Sequence, residues 1–196
     1  MKLFVLVLMI VVVFFGADIC RAEVGNIDME TIKAELKRLV GDNLLSDEYL
    51  QVIYADVAKM IENAPPDFLS ASQFFVYVDR NPQKQLIMLC FFNADDKQIE
   101  IIGADKTSTG NPSRKGYFIT PVGFFENTPE NFGYRALGTK NDKGWRGLGA
   151  KGSRVWDFGW QKTLNKKGEE TEIRLLLHAT DPDFGESRLG QVDSKG

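Results

Sequence analysis

Phe74-Phe75-Val76-Tyr77-Val78 and Gln85-Leu86-Ile87-Met88-Leu89-Cys90-Phe91-Phe92 are two runs of apolar, aromatic and β-branched residues. Between them stands Asp79-Arg80-Asn81-Pro82, a turn-forming cluster. A second cluster, Asn93-Ala94-Asp95-Asp96, leads into a third run from Gln98 to Ile102. Runs of this length and composition, punctuated in this way, predict strands of an antiparallel meander, so the fold class is mainly β.

Upstream of the meander the period changes. Met29, Ile32, Leu36, Leu39 and Val40 fall at helical spacing behind Asp28, a suitable N-cap, and Gly41 closes the segment. A second helix is expected after Ser46, burying Leu50, Ile53, Val57 and Met60 or Ile61 and ending at Pro65-Pro66, where the backbone loses a donor. Residues 23–70 therefore read as a short helical N-terminal region, and amphipathic stripes of this kind are core faces before they are anything else. Residues 71–196 form the main domain, with room for an ordinary core.

The first residues have a different character. Met1-Lys2 precedes an unbroken apolar run from Leu3 to Phe15, and Gly16-Ala17-Asp18-Ile19-Cys20-Arg21-Ala22 follows. A charged start, a short apolar stretch and a small-residue exit predict a secretory signal peptide over residues 1–22, cleaved after Ala22. The run is shorter than the roughly 20 apolar residues of a membrane helix, so the membrane is expected only during export, with an uncleaved anchor as the alternative. The implied location is the periplasm or cell envelope. Without residues 1–22 the chain carries 22 basic and 26 acidic residues, a balance that argues against nucleic-acid binding.

That exported form retains one cysteine, Cys90, set inside an apolar run. A lone Cys has no intramolecular disulfide partner, and its setting predicts a small buried core residue rather than a nucleophile. One His and one Cys cannot build a His/Cys zinc site, so no metal is expected. Gly147-Leu148-Gly149-Ala150-Lys151-Gly152 matches G-x-G-x-x-G. A phosphate cradle needs a helix next, whereas Val155-Trp156-Asp157-Phe158 reads as a strand, so no nucleotide cofactor is expected either. Asp181, Asp183 and Glu186 leave a two-carboxylate glycosidase as another enzyme reading, whose carboxylate separation a sequence does not give.

Residues 123–160 hold eight glycines with Trp145, Trp156 and Trp160, a turn-rich stretch too apolar in places for a linker. Between Arg135 and Lys167 there are nine Lys/Arg against two Asp. The cluster is either a solvated loop face or an attractive surface for carboxylate-rich ligands.

The only histidine, His178, ends Ile173-Arg174-Leu175-Leu176-Leu177, a predicted strand, and Ala179-Thr180-Asp181-Pro182-Asp183 follows. Ser108-Thr109-Gly110 and Gly116-x-Phe118 precede it, and Ser194-Lys195-Gly196 comes after. In this order these landmarks over residues 74–196 resemble the L,D-transpeptidase catalytic domain. There a strand-borne His is followed by Ser/Thr-x-Gly and then by the nucleophilic Cys. The match at the second landmark is partial, because Arg114-Lys115-Gly116 stands where the family carries Thr-Pro-x-Gly, and Lys195 stands where many members carry a second His.

The resemblance implies a β-sandwich or mixed sheet and cysteine-dependent acyl transfer between peptidoglycan stem peptides, without metal or organic cofactor. It makes His178 the general base, oriented by a backbone carbonyl for which Ala179 is nearest. It has the N–H groups of Lys195 and Gly196 face the oxyanion, with Ser194 and Tyr117 on the substrate. It also places the nucleophilic Cys immediately after Gly196, so the 196 residues are expected to be an incomplete domain, inactive alone. A non-catalytic peptidoglycan-binding envelope protein is the alternative.

Overall fold

In the computed structural model the two runs that announce the meander pair as β2 (Gln73–Asp79) and β3 (Leu86–Asn93), antiparallel, with Phe75 opposite Cys90 and Tyr77 opposite Met88. The structure describes residues 7–11, 28–41, 45–65, 68–110, 118–165 and 167–183. β4 (Gln98–Lys106) continues the meander four residues beyond the expected run, through a register shift at Leu89/Cys90. β1 (Val7–Val11) and β5 (Phe124–Glu126) complete a five-stranded sheet in the order β4-β3-β2-β1-β5, antiparallel except where β1 meets β5. A second, antiparallel sheet holds β6 (Tyr134–Arg135), β7 (Arg154–Leu164) and β8 (Glu170–His178). The fold is mainly β, with two sheets and two helices among the described residues.

Both faces of the first sheet are covered, and the period-2 alternation of β2 and β3 decides by what. Phe75, Tyr77, Leu86, Met88, Cys90 and Phe92 point one way, into a core closed by Ile53 and Val57 of α2 (Asp47–Glu62). Val76, Val78 and Ile87 point the other way and meet Trp156, Phe158, Leu175 and Leu177 of the second sheet. Phe75, Tyr77, Met88 and Cys90 have no exposed surface, and truncating a fully buried Phe to Ala costs about 3–5 kcal/mol.

The helices follow their caps. The Asp28 carboxylate accepts from the Thr31 N–H at the start of α1 (Met29–Val40), and the Gly41 N–H bonds the Lys37 carbonyl at its end. Ser46 caps α2 through the Tyr49 N–H. That helix stops at Glu62, short of Pro65-Pro66, because Asn63 turns its N–H onto Met60 and its side chain onto the Lys59 carbonyl. Pro66 lies outside the described residues. α1 buries none of its side chains fully and leaves Leu39 65% exposed. It reaches the sheet through Leu36, which lies against Gly103 of β4 so closely that a Cβ there would meet it at 2.7 Å.

Polar joints tie the sheets together. Gln85 is fully buried with φ 47°, and its Oε1 accepts from the Thr109 N–H and hydroxyl at 3.1 and 3.2 Å. The Thr109 carbonyl accepts from the Thr120 N–H and hydroxyl, Arg80 Nη1 donates to the Thr120 carbonyl, and Thr163 of β7 donates to the Ile119 carbonyl at 2.7 Å. These bonds satisfy loop groups that burial would otherwise leave unpaired.

β1 falls inside the segment read as an export signal; the other residues of 1–22 lie outside the described residues, as does the cleavage point. It pairs with β2 (Met9 opposite Tyr77) and with β5 (Ile10 opposite Phe125). A chain starting at Glu23 would therefore expose an edge of β2 and an edge of β5. No helix among the described residues is long and apolar enough to cross a membrane. Hydrogen exchange compares the two forms. In the chain from Glu23, the amides of Val76–Asp79 that face β1 should exchange about fivefold or more faster than in the full chain, the scale of one net hydrogen bond. Equal protection in both would mean that β1 contributes no pairing.

Candidate active site

His178 is the last residue of β8, opposite Val155 of β7, where the ladder ends. Leu175 and Leu177 face the inter-sheet core, so alternation turns His178 outward, and it is exposed. Its Nδ1 lies 2.9 Å from the Ala179 carbonyl oxygen, the neighbour from which an orienting carbonyl is expected. A carbonyl only accepts, so this bond requires the proton on Nδ1, and in the neutral imidazole that leaves the lone pair on Nε2. Nε2 has no hydrogen-bond partner among the described residues.

Beyond His178 the chain is held by a network that sequence reading missed. Asp181, 8% exposed, accepts from the Arg146 N–H at 2.7 Å, from Arg146 Nη1 at 2.9 Å and from the Asp183 N–H at 3.0 Å. Arg146 Nη1 also reaches Asp183 at 2.7 Å, and Lys140 reaches it at 3.0 Å. The Arg146 and Asp183 N–H groups hold the Asp181 carboxyl below the usual carboxylate range, and Lys140 and then Arg146 do the same for Asp183. A glycosidase acid needs the opposite, a carboxyl kept protonated by a raised pKa, so this pair does not suit that chemistry. Asp-x-Asp with a return N–H bond is a local turn signal that the sequence carried; its arginine, 35 residues upstream, was not legible.

The charge cluster between Arg135 and Lys167 is partly spent on the fold. Arg146 and Lys140 are paired as above, and Lys162 pairs with Glu170 at 2.9 Å. Arg154 stacks between Phe132 and Trp156, 4.6 Å from each ring. Lys143 and Lys151 are exposed and form no ion pair among the described residues. In β7 the buried Asp157 is pushed up by burial. The Arg174 guanidinium and the Gly159 N–H outweigh that and bring its carboxyl net below the ordinary range.

The G-x-G-x-x-G run is a pair of turns that feeds β7 directly, with no helix N-terminus to meet a phosphate. Ser108-Thr109-Gly110 belongs to the buried joint between the sheets, and Gly110 (φ 82°) lies where a Cβ would meet the Phe118 carbonyl at 1.8 Å. The Thr-Pro-x-Gly-x-Phe pattern, which Arg114-Lys115-Gly116 matches only in part, stands complete at Thr120-Pro121-Val122-Gly123-Phe124-Phe125. Thr120 bonds Thr109, and the Phe125 ring lies 3.2 Å from where a Cβ on Gly123 would sit. Gly116, Tyr117, Glu186, Ser194, Lys195 and Gly196 lie outside the described residues. No group of three or more His, Cys, Asp or Glu among the described residues could hold a metal ion. No protein-family model and no curated protein matches this chain.

Cys90 is fully buried in the α2-side core, and burial pushes its thiol up to about 12. Alkylation tests this placement in a chain whose other cysteine, Cys20, is replaced by Ser. At pH 8 the native protein should react with iodoacetamide about a hundredfold or more slower than the urea-unfolded chain, since only the thiolate attacks. Stoichiometric labelling of the native protein within minutes would place Cys90 at the surface.

Proposed function

We propose that this chain is the body of an exported L,D-transpeptidase-type domain, carrying out cysteine-dependent acyl transfer between peptidoglycan stem peptides in the periplasm or cell envelope. The observation that carries the reading is His178 at the exposed end of β8 with Nδ1 on the Ala179 carbonyl, which leaves Nε2 as the basic nitrogen. The order of Ser108-Thr109-Gly110, Thr120-Pro121-Val122-Gly123-Phe124-Phe125, His178 and Ser194-Lys195-Gly196 supports the same reading. The two-sheet fold accommodates it.

In this reading the nucleophile is a Cys immediately following Gly196. Its thiol gives its proton to His178 Nε2, and the thiolate attacks the carbonyl carbon of a stem-peptide amide, forming a C–S bond as the C=O pair moves onto oxygen. N–H groups at Lys195 and Gly196 face that oxyanion, where a glycine lets the backbone approach without a Cβ. Collapse breaks the C–N bond, and His178 returns the proton to the departing amine. An amine of a second stem then attacks the thioester, losing its proton to His178 as the thiolate leaves. Lys143 and Lys151, exposed and without an ion pair among the described residues, would draw in the acidic stems.

The test extends the chain through its native downstream codons. The extension should begin with Cys and confer both acyl transfer on tetrapeptide stems and covalent labelling by a carbapenem. His178→Ala in that form should slow acylation about 10²–10⁴-fold, the usual contribution of a general base. Cys90→Ser should leave activity intact. Activity of residues 1–196 alone, or dependence of the extended form on Cys90, would contradict the mechanism.

A further inference from the structure

The β7–β8 ladder ends at the Val155–His178 pair, so it does not hold the carbonyl of Ala179 that receives the His178 proton. The loop between β6 and β7 touches the chain on both sides of that carbonyl. On the far side, Arg146 binds Asp181 with its backbone N–H and its guanidinium, and the Asp183 N–H adds a third bond. On the near side, Gly149 (φ 87°) lies flat against Ala179. A Cβ there would sit 3.0 Å from the Ala179 Cβ, 3.1 Å from its carbonyl oxygen and 3.2 Å from the Ser153 hydroxyl.

The loop is itself fixed. The Ala136 N–H bonds the Ser153 carbonyl, the Gly152 N–H bonds the Ala136 carbonyl, and the Trp145 N–H bonds Asn141 Oδ1. Gly138 lies where a Cβ would be 2.5 Å from the Lys151 nitrogen. Two rigid contacts, Gly149 on Ala179 and Arg146 on Asp181, thus bracket the peptide whose oxygen decides which imidazole nitrogen carries the proton.

We infer that Gly149, Arg146 and Asp181 are positioning residues, a clamp that fixes the Ala179 carbonyl and thereby holds His178 in the Nδ1–H tautomer with Nε2 free to act as base. They touch no reacting atom and act only through Ala179. The glycine run that resembles a phosphate cradle gains a physical reason in this way: a Cβ at Gly149 would crowd Ala179 and Ser153 at 3.0–3.2 Å, on a backbone whose positive φ already disfavours a side chain. The kinetic consequence rests on the transpeptidase reading, whereas the tautomer does not.

His178 is the only histidine of the chain, so ¹⁵N-histidine labelling gives one imidazole in a long-range ¹H–¹⁵N spectrum. Recorded on the 196-residue protein with the imidazole neutral, wild type should show a protonated Nδ1 and a pyridine-like Nε2. Gly149→Ala and Asp181→Ala should each move the tautomer ratio toward the Nε2–H form that free imidazole prefers, by about fivefold or more, the scale of one net hydrogen bond. Asp181→Asn, which keeps an acceptor oxygen, should restore most of the wild-type ratio. Gly147→Ala should leave it unchanged, since nothing lies within 4 Å of a Cβ there.

Two clamp variants are read so that a fold failure in one leaves the other. In the extended chain Gly149→Ala should lower kcat at nearly constant KM. A wild-type imidazole already in the Nε2–H form, or a ratio unmoved in both variants, would overturn the clamp. The predicted tautomer shifts in a protein whose extended form transfers no acyl group would sustain the clamp and sink the transpeptidase reading instead.

Discussion

The fold depends on the β2–β3 hairpin being buried on both faces. Alternation sends Phe75, Tyr77 and Met88 into the core under α2, and sends Val76, Val78 and Ile87 against Trp156, Phe158 and Leu175. A slip of one residue would exchange the two sets, placing large aromatic rings where the second sheet leaves room for Val and putting aliphatic stubs under α2. The register is therefore fixed from both sides. The turn that sets it carries Gln85, whose buried amide anchors the Thr109 loop and, through Thr120, the approach to the second sheet.

The second sheet inherits its position from that arrangement. Leu175 and Leu177 must face the shared core, which leaves His178 on the outside at the point where the ladder runs out. The outward direction of the imidazole is thus a packing consequence. The choice of its protonated nitrogen is a separate matter, settled by the Ala179 carbonyl and by a loop that belongs to the β6–β7 connection. Core packing aims the ring, and a polar loop contact sets its chemistry.

How far this was legible in the sequence follows the range of the interactions involved. The caps at Asp28, Gly41 and Ser46, the runs of β2 and β3 and the strand end at His178 depend on residues a few positions apart, and local patterns announce them, whereas the bond to Ala179 was expected only from the transpeptidase resemblance. β6, two residues long, and the extensions of β4 and β7 depend on partners distant in sequence and leave little local trace. The Arg146–Asp181 contact spans 35 residues and was hidden inside a charge count that left a solvated face and a ligand-attracting surface equally open. Val7–Val11 fits two signals that local pattern does not separate, since an apolar run that suits an export signal also suits a strand against β2.

A crystal structure of the chain extended through its native downstream codons measures the central claim most directly, because it fixes the distance from His178 Nε2 to the nearest thiol outside the core. The account predicts a cysteine sulfur immediately after Gly196, within about 4 Å of Nε2, which is hydrogen-bond reach loosened as in a resting enzyme. Nδ1 would remain on the Ala179 carbonyl. A sulfur far outside that reach, or an imidazole turned so that Nδ1 faces the thiol and Nε2 the carbonyl, would contradict it.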